Sequence, residues 1–244
     1  MDADGATRTK TRVTKDPAVR REELLDTALT LCGEHGFDGL RVEQVVQAAG
    51  IAKGTFYHYF GSKDDLLEAL IERFGDGLFD ELNAAAQQAV DTDAAGRLRA
   101  VMDASGRYKL SQQDVALAGL LYREDNLPMR HRVFRTWRER AAEVLVPIIT
   151  AGSLDGSFRV FDTDGATDII LLLWFEAASQ LWDRAARAED ADTFATILVT
   201  GARSISEAQE RVLGVPEGTY AMPIGPEVIE LTKHLFATIQ RRPQ

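Results

Sequence analysis

The sequence predicts an all-α protein with a small N-terminal helical domain and a larger C-terminal helical bundle. Apolar residues recur at helical spacing along nearly the whole chain of 244 residues, and the alternation typical of β-strands is nearly absent. The longest strongly apolar run, 169–175, is far too short to span a bilayer, so we expect no membrane segment.

The composition is that of an ordinary globular protein. The chain is 45% hydrophobic and 27% charged, and its net charge of −10, taken alone, argues against a general nucleic-acid coat. The charge is uneven, because residues 1–21 hold six Lys and Arg against three acids. Residues 1–16 are therefore either a flexible basic arm or a plain solvated tail.

The N-terminus and the cysteine content predict the cellular setting. The first residues, MDADGATRTKTR, lack the apolar segment of a secretory signal, so we expect a cytoplasmic protein. A single cysteine, Cys32, allows no intrachain disulfide and disfavours a cysteine-based metal site. Its place on an apolar helical stripe indicates a small core residue rather than a nucleophile. We expect neither a metal nor a cofactor.

The first two helices have recognisable ends. Asp16 as N-cap and Pro17 at the first helical position predict the start of the first helix. Gly36 suits a left-handed cap at its end. A short apolar stripe then predicts a second helix at about 42–49.

A tight turn at 50–52 separates the second helix from the third. Gly50 supplies the positive φ that such a turn needs. The third helix is expected at about 53–60, and Ser62 with Asp65 forms a capping box at the start of the fourth.

The remaining chain resembles a bundle of longer helices. Gly75 and Gly77 weaken the fourth helix, so we expect a bend or boundary near residue 75 and domains at 17–75 and 76–244. Pro147 is expected to kink its helix or end it early. Helices are expected at about 78–90, 95–110, 113–122, 127–151, 164–188, 191–212 and 226–240, with Asn126 and Asp164 as caps.

Two helices joined by a short glycine turn form the helix-turn-helix motif, whose second helix enters the major groove of DNA. A helical wheel on 53–60 places Phe56 and Phe60 within about 40° of each other, on the inward side. The wheel places Gly54, Thr55 and His58 outward, and Tyr57 and Tyr59 on the two margins. Aromatic residues at helical spacing are usually core, but the glycine turn and the flanking Lys53 and Lys63 favour DNA binding here.

The segment from Gly36 to Leu67 resembles the DNA-binding domain of tetracycline-repressor-type (TetR-family) transcriptional regulators. The residues that carry the resemblance are AGIAKGTFYHYFGSKDDLL, 49–67, against a family pattern of roughly AG(V/I)(S/A)KGT(F/L)Y(H/Y)(Y/H)F-x-(S/N)K-x-x-L. The resemblance covers about 17–70, and the rest of the chain fits the family only in its all-α architecture.

The resemblance implies a role for each matching residue. Lys53 and Gly54 occupy positions that contact base edges of a double-stranded DNA operator. Thr55, Tyr57, His58, Tyr59 and Lys63 occupy positions that hold phosphates. Phosphate contacts set the register of a protein on DNA, whereas base contacts set its sequence preference.

The start of the second helix departs from the family pattern. Family members often have a Ser or Thr there that caps the helix and binds a phosphate, whereas this chain reads Leu40-Arg41-Val42-Glu43. We expect Arg41 to replace the phosphate contact by its charge. Glu43 either accepts a hydrogen bond from a cytosine amino group or simply faces solvent.

The resemblance also implies a C-terminal domain that dimerises and binds a small-molecule effector. A homodimer would form through the helices at about 164–188 and 191–212, where Ala177, Ala178, Ala185, Ala195 and Ala202 would permit close packing. Large apolar residues are expected to line an effector pocket or to be plain core: Met102, Tyr108, Tyr122, Phe134, Trp137, Trp174 and Phe175. Five arginines at 130–140 spread around one helix, which indicates solvated faces or ion pairs rather than an anion site.

The expected mechanism is linkage, in which the effector favours the form of the dimer that does not fit DNA. The fourth helix would carry the coupling, with Gly75 and Gly77 as a candidate pivot. Two other classes of protein are alternatives for an all-α chain, an enzyme and a helical adaptor that binds only protein. The chain contains no HExxH, GxSxG or P-loop motif, so we do not expect an enzyme.

Overall fold

The computed structural model describes residues 16–109, 121, 127–221 and 224–240. The basic arm before Asp16, the helix expected at 113–122 with Tyr122, and Asn126 lie outside the described residues. The described helices, numbered in chain order, are α1 (Pro17–Gly39), α2 (Val42–Ala48), α3 (Lys53–Tyr59), α4 (Lys63–Gln88), α5 (Ala94–Lys109), α6 (Leu127–Asp155), α7 (Thr163–Leu172), α8 (Ala178–Ala185), α9 (Ala191–Leu213) and α10 (Pro226–Gln240). A π-helical turn, Leu173–Ala177, joins α7 to α8. The expected all-α fold is therefore confirmed.

Helices α1 to α3 and the start of α4 enclose one small core. Each helix contributes fully buried apolar side chains, among them Leu24, Leu25, Val45, Phe56 and Leu66. Outside this core, Arg73 of α4 donates to Asp26 of α1 at 2.7 Å and to Glu22 at 3.3 Å. These contacts hold α3 in a fixed position on the face of a packed unit.

The turn between α2 and α3 is set by Gly50. Its φ of 63° lies in the left-handed region that a glycine adopts without steric cost. Gly50 donates to the Gln47 carbonyl at 3.2 Å and Ile51 donates to the Val46 carbonyl at 3.1 Å, which is the Schellman pattern. Ile51 and Val46 also pack against the same core. The expected positive φ is confirmed.

Helix α4 runs without a break through the expected boundary at residue 75, so the separate helix predicted at 78–90 is wrong. Both glycines have a packing reason. A Cβ at Gly75 would overlap the indole ring of Trp137, and a Cβ at Gly77 would overlap the hydroxyl of Tyr108. The glycines let α5 and α6 approach α4 closely, which periodicity alone does not reveal.

Two other expected signals are wrong, and of the two outcomes expected at Pro147 the early end is wrong. Gly36 does not end α1, because the helix continues to Gly39. Pro147 does not end α6, which continues to Asp155 with the proline exposed. The cap of α7 is Asp162 rather than Asp164, since the Asp162 carboxylate accepts from the Gly165 N–H at 2.9 Å.

The core of the C-terminal bundle is a continuous set of rings around Trp137. Phe74 of α4 lies 5.2 Å from Tyr108 and 5.8 Å from Trp137, measured between ring centroids. Phe134 lies 6.0 Å from Trp137 and 5.2 Å from Phe175. Helices α5 and α6 therefore meet α4 through aromatic contacts at Phe74, and the π-turn joins the same set of rings through Phe134.

Ion pairs fasten α6 along the outside of α4. Arg132 donates to Glu68 through two nitrogens at 3.0 and 3.1 Å, and Arg140 donates to Asp76 at 2.7 Å. Arg140 also lies over the Phe79 ring, 4.5 Å from its centroid.

None of the described helices combines the length and the apolar character that crossing a bilayer requires.

Candidate nucleic-acid interface

Helix α3 has one face anchored in the core and one face open to solvent. Phe56 is fully buried and Phe60 is 3% exposed, as the helical wheel predicts. Their rings lie 5.7 Å apart, and the Arg21 guanidinium covers Phe60 at 5.4 Å. Seven residues make too short a helix to persist alone, so these anchors hold α3 in place.

The opposite face of α3 presents the predicted DNA-contact residues. Lys53, Gly54 and His58 are exposed, and Tyr57 is 48% exposed although its ring edge packs on Phe56 at 5.4 Å. Tyr59 is half-buried and packs against the core, which agrees with a marginal position. Thr55 is half-buried rather than fully outward.

Neither the backbone conformation nor the packing of the described residues requires a glycine at position 54. Its φ is not positive, and a Cβ added there would meet no atom within 4 Å. A glycine inside a helix is less favourable than alanine by about 1 kcal/mol. Glycine at position 54 therefore destabilises the helix without improving the packing. Such a glycine is expected where another molecule approaches the backbone.

The start of α2 is capped without a hydroxyl. Arg41, the N-cap residue, is exposed and makes no side-chain cap, as predicted from the missing Ser or Thr. Instead, Gln44 turns back and accepts from the Arg41 backbone N–H at 2.8 Å. The Arg41 side chain is thus left beside the N-terminal end of α2.

An ion pair joins the exposed ends of α2 and α3. Lys53 Nζ lies 2.6 Å from Glu43 Oε1, although the residues are ten apart in the chain. This hydrogen bond is the main cause of a raised pKa at Lys53 and a lowered pKa at Glu43. Glu43 therefore does not simply face solvent, and its partner in the DNA-free protein is the predicted base-reading lysine.

Lys63 opens α4 beside this surface. It is half-buried at the first helical position, directly after the N-cap Ser62. Ser62 Oγ accepts from the Asp65 N–H at 3.0 Å, so that backbone donor is already used and does not serve an anion. Two acids, Asp64 and Asp65, follow in the first turn, so Lys63 carries the positive charge at this end.

Cys32 has the core position predicted for it. It is 3% exposed, and burial raises the pKa of its thiol to about 12. Among the described side chains no group of three or more His, Cys, Asp or Glu is arranged to hold a metal.

A sequence model described as "Bacterial regulatory proteins, tetR family" matches residues 24–70, which span α1 to α4. The chain is 32% identical over 151 residues to the HTH-type transcriptional repressor KstR2 of Mycolicibacterium smegmatis, covering 59% of this chain and 69% of that protein. The chain belongs to the TetR family. The KstR2 repressor of Rhodococcus jostii is 28% identical over 145 residues, covering 57% of this chain and 68% of that protein.

A solved TetR-family regulator from Pectobacterium atrosepticum has the same fold, with a TM-score of 0.63. It is 20% identical and covers 83% of this chain and 100% of that one. As a TetR-family member the chain is a DNA-binding transcriptional regulator and not an enzyme. The match of 24–70 coincides with the helices that present α3.

The predicted pocket residues of this TetR-family chain converge inside the bundle. Trp137 and Phe134 are buried on α6, with Phe175 packed on Phe134. Met102 and Trp174 both contact the side chain of Gln209. Six of the seven predicted residues fall in the described part of the chain, and of these Phe134 lines an open groove of about 560 Å³ between α6 and α7–α8.

The α6 arginines divide between ion pairs and this groove. Arg130 is 1% exposed and donates to both carboxylate oxygens of Asp183 at 3.0 and 3.1 Å. Arg132 and Arg140 pair with α4, so the predicted ion pairs are confirmed for three of the five. Arg135 is exposed and Arg138 is half-buried, and both line the groove.

Sequence reasoning missed Gln209, a fully buried carboxamide on α9. Its oxygen accepts from the Trp174 indole N–H at 2.7 Å, and its nitrogen lies 3.0 Å from the Met102 sulfur. The available signal was a glutamine on the apolar stripe of an amphipathic helix, beside Ser206 and Leu213, which are also buried. It links α9, the π-turn and α5 through two predicted pocket residues.

The predicted dimer helices expose one continuous open face. A groove along α8 and α9 is lined by both short and long side chains. The short ones include Ala177, Thr200, Gly201, Ser204 and Ala208, and the long ones are Leu173, Gln180, Leu181, Arg184, Ile197 and Ile205. Ala185 and Ala195 face the opposite way, because they are buried within this subunit. These two alanines therefore cannot contribute the close packing expected of them.

Helix α10 packs on that buried side. Its Phe236 ring lies 5.4 Å from Phe194 of α9, and its Lys233 donates to Asp192 at 2.8 Å. Helix α10 therefore packs on its own subunit, and the groove along α8 and α9 stays open in the described residues.

Proposed function

We propose that the protein is a repressor that binds a near-palindromic operator as a homodimer and is released from it by a small-molecule effector. The observation that carries this proposal is α3, which is held rigidly by Phe56 and Phe60 while its solvent face combines a lysine with an unexplained glycine. The KstR2 repressors of Rhodococcus jostii and Mycolicibacterium smegmatis, at 28% and 32% identity, support repression rather than activation. The protein would act in the cytoplasm, where the chromosome is.

We assign base contacts to Lys53 and Gly54, at the N-terminal end of α3. A recognition helix meets base edges with its N-terminal residues, and Gly54 lets the backbone approach the groove closely. Phosphate contacts are assigned to the residues around this tip: Arg41, Thr55, Tyr57, His58, Tyr59 and Lys63. Tyrosine hydroxyls at the core boundary suit this role because the ring is anchored while the hydroxyl reaches outward.

Dimerisation is assigned to the open face of α8 and α9. Short side chains there permit two helices to approach closely, and Ile169 and Leu172 on α7 extend the apolar surface with 46% and 45% exposure. A two-fold dimer of this kind places two recognition helices about 34–36 Å apart, one turn of DNA.

Effector control is assigned to α4. Its N-terminal half belongs to the packed unit that holds α3, whereas Phe74 and Gly75 touch Tyr108 and Trp137, two predicted pocket residues. A ligand that rearranges the aromatic side chains packed around Trp137 would therefore act directly on α4. The ligand shifts the equilibrium only by its differential affinity for the two arrangements.

The proposal predicts a specific, salt-sensitive interaction of a dimer with DNA. Full-length protein would be used to select duplexes from a random library, and affinity would be measured by fluorescence anisotropy between about 50 and about 200 mM salt. Sedimentation velocity in the same buffers gives the oligomeric state. A two-fold symmetric selected sequence and a dimer support the proposal, whereas a monomer or an asymmetric single half-site refutes it.

A further inference from the structure

The Lys53–Glu43 pair places an acid at the tip of the assigned DNA-reading surface. The side chains are 56% and 65% exposed, and the bond between Nζ and Oε1 is 2.6 Å. DNA carries dense negative charge, so an acid here opposes binding to every sequence. Exposed ion pairs contribute little to folding, so stability does not account for Glu43.

The turn at Gly50 makes this pairing possible. Arg41 and Gln44 fix the first turn of α2, and the Schellman pattern fixes α3 relative to it. Glu43 and Lys53 are therefore both in the first turns of neighbouring helices, on a shared exposed edge. The contact between them follows from the backbone and not from one flexible chain reaching across the protein.

We propose that Glu43 determines specificity by holding Lys53 in place and by cancelling its charge on DNA that offers no matching base. This inference rests on the base contact assigned to Lys53 under the proposed function. On unrelated sequences the paired lysine gains little from a phosphate, because it would have to leave its carboxylate. On the preferred sequence Lys53 donates to a base acceptor from a fixed position, and the hydrogen bond to Glu43 does not have to break.

The alternative role for Glu43 is a direct hydrogen bond to a cytosine amino group. The observed pair favours the positioning role, because Glu43 Oε1 is already engaged by a strong charged donor. The two roles differ in their dependence on Lys53. A positioning role disappears when Lys53 is removed, whereas a direct base contact persists.

The test uses the full chain with three substitutions, Glu43→Gln, Lys53→Ala and the double variant. Each is measured against the duplex selected by the wild-type protein and against a scrambled duplex of equal length. Glu143→Gln on α6 is the matched control, because it removes one exposed negative charge from a helix that packs mainly on α4, α5 and α7 rather than on α3. Circular dichroism and thermal unfolding verify that every variant is folded.

We expect Glu43→Gln to tighten binding to the scrambled duplex and to steepen its salt dependence by about one phosphate contact. The ratio of specific to non-specific affinity should fall roughly ten-fold, within the range of one base contact. In the Lys53→Ala background, Glu43→Gln should leave that ratio unchanged within about two-fold, as double-mutant coupling requires. Glu143→Gln should leave the ratio and the salt slope unchanged.

Three results would each contradict the positioning role of Glu43, for different reasons. If Glu43→Gln changes both duplexes by the same factor, as Glu143→Gln would, Glu43 has no part in specificity. If the ratio falls equally with and without Lys53, the positioning role is overturned in favour of direct base contact. If the wild-type protein selects no sequence at all, the proposed function fails, and this inference fails with it.

Discussion

Gly54→Ala is expected to move folding stability and DNA affinity in opposite directions. The new methyl group enters open space, because no atom lies within 4 Å of the added Cβ, so the folded chain gains no clash. Replacing a helical glycine by alanine stabilises a protein by about 0.4–1 kcal/mol, chiefly by restricting the unfolded chain. Gly54 is the second residue of α3, so we expect the lower part of that range, about 0.5 kcal/mol.

The same methyl group lies on the face that we assign to the DNA groove. A methyl group there keeps the α3 backbone away from the base edges. The Lys53 ammonium group is then too far from its base acceptor for a good hydrogen bond. We expect affinity for the selected duplex to fall at least about ten-fold, which corresponds to the loss of one base contact of about 1–3 kcal/mol.

The assay combines chemical denaturation with anisotropy titration on the same preparation. Gly106→Ala is the matched control, since Gly106 lies inside α5 with equally open space around its Cβ and is remote from α3. It should gain about 0.5–1 kcal/mol of stability without any change in DNA affinity. If Gly54→Ala also leaves DNA affinity unchanged, the assignment of the α3 face is refuted.

Four further substitutions test the core, the interface and the pocket. Phe56→Ala should lower the free energy of unfolding by about 3–5 kcal/mol, because a fully buried ring is replaced by a cavity. Lys53→Ala should relax base preference in a repeated library selection, whereas Lys63→Ala should weaken binding to all duplexes alike and reduce the salt slope by about one. Gln209→Leu should cost about 1–3 kcal/mol in thermal unfolding, because the buried Trp174 indole N–H loses its acceptor.

For each of these substitutions, one outcome would contradict the expected effect. Phe56→Ala with near wild-type stability would show that α3 is not anchored by its ring. Equal losses on every sequence for Lys53→Ala and Lys63→Ala would remove the distinction between base and phosphate contacts. An unchanged melting temperature for Gln209→Leu would mean that the indole N–H finds another acceptor.

The DNA-binding half of the fold was predictable because its signals are local. Gly50, Ser62 and the stripe through Phe56 and Phe60 each act within one or two helical turns. The position of Gly50 in a left-handed turn follows from chain geometry alone. For the same reason the exposure of Lys53, Gly54 and His58 was predictable, whereas Thr55 is half-buried instead of outward.

The remaining features depend on contacts that are distant in sequence. Gly75 predicts a break when only propensity is considered, yet Trp137, sixty-two positions later, supplies the reason for a continuous helix. The Lys53–Glu43 pair likewise depends on the angle between two helices, which no periodicity encodes. Gln209 was overlooked because a buried glutamine becomes recognisable only when its partners are known.

Helix α4 has a mechanical consequence that follows from its length. Its 26 residues, at about 1.5 Å each, make a rod of about 39 Å. If α4 tilts by about 5° about its contact with Trp137 at Gly75, its first residue, about 18 Å away, is displaced by about 1.6 Å, roughly half the length of a hydrogen bond. Under the proposed function, a small rotation of α4 at Trp137 would therefore shift α3 relative to the DNA groove.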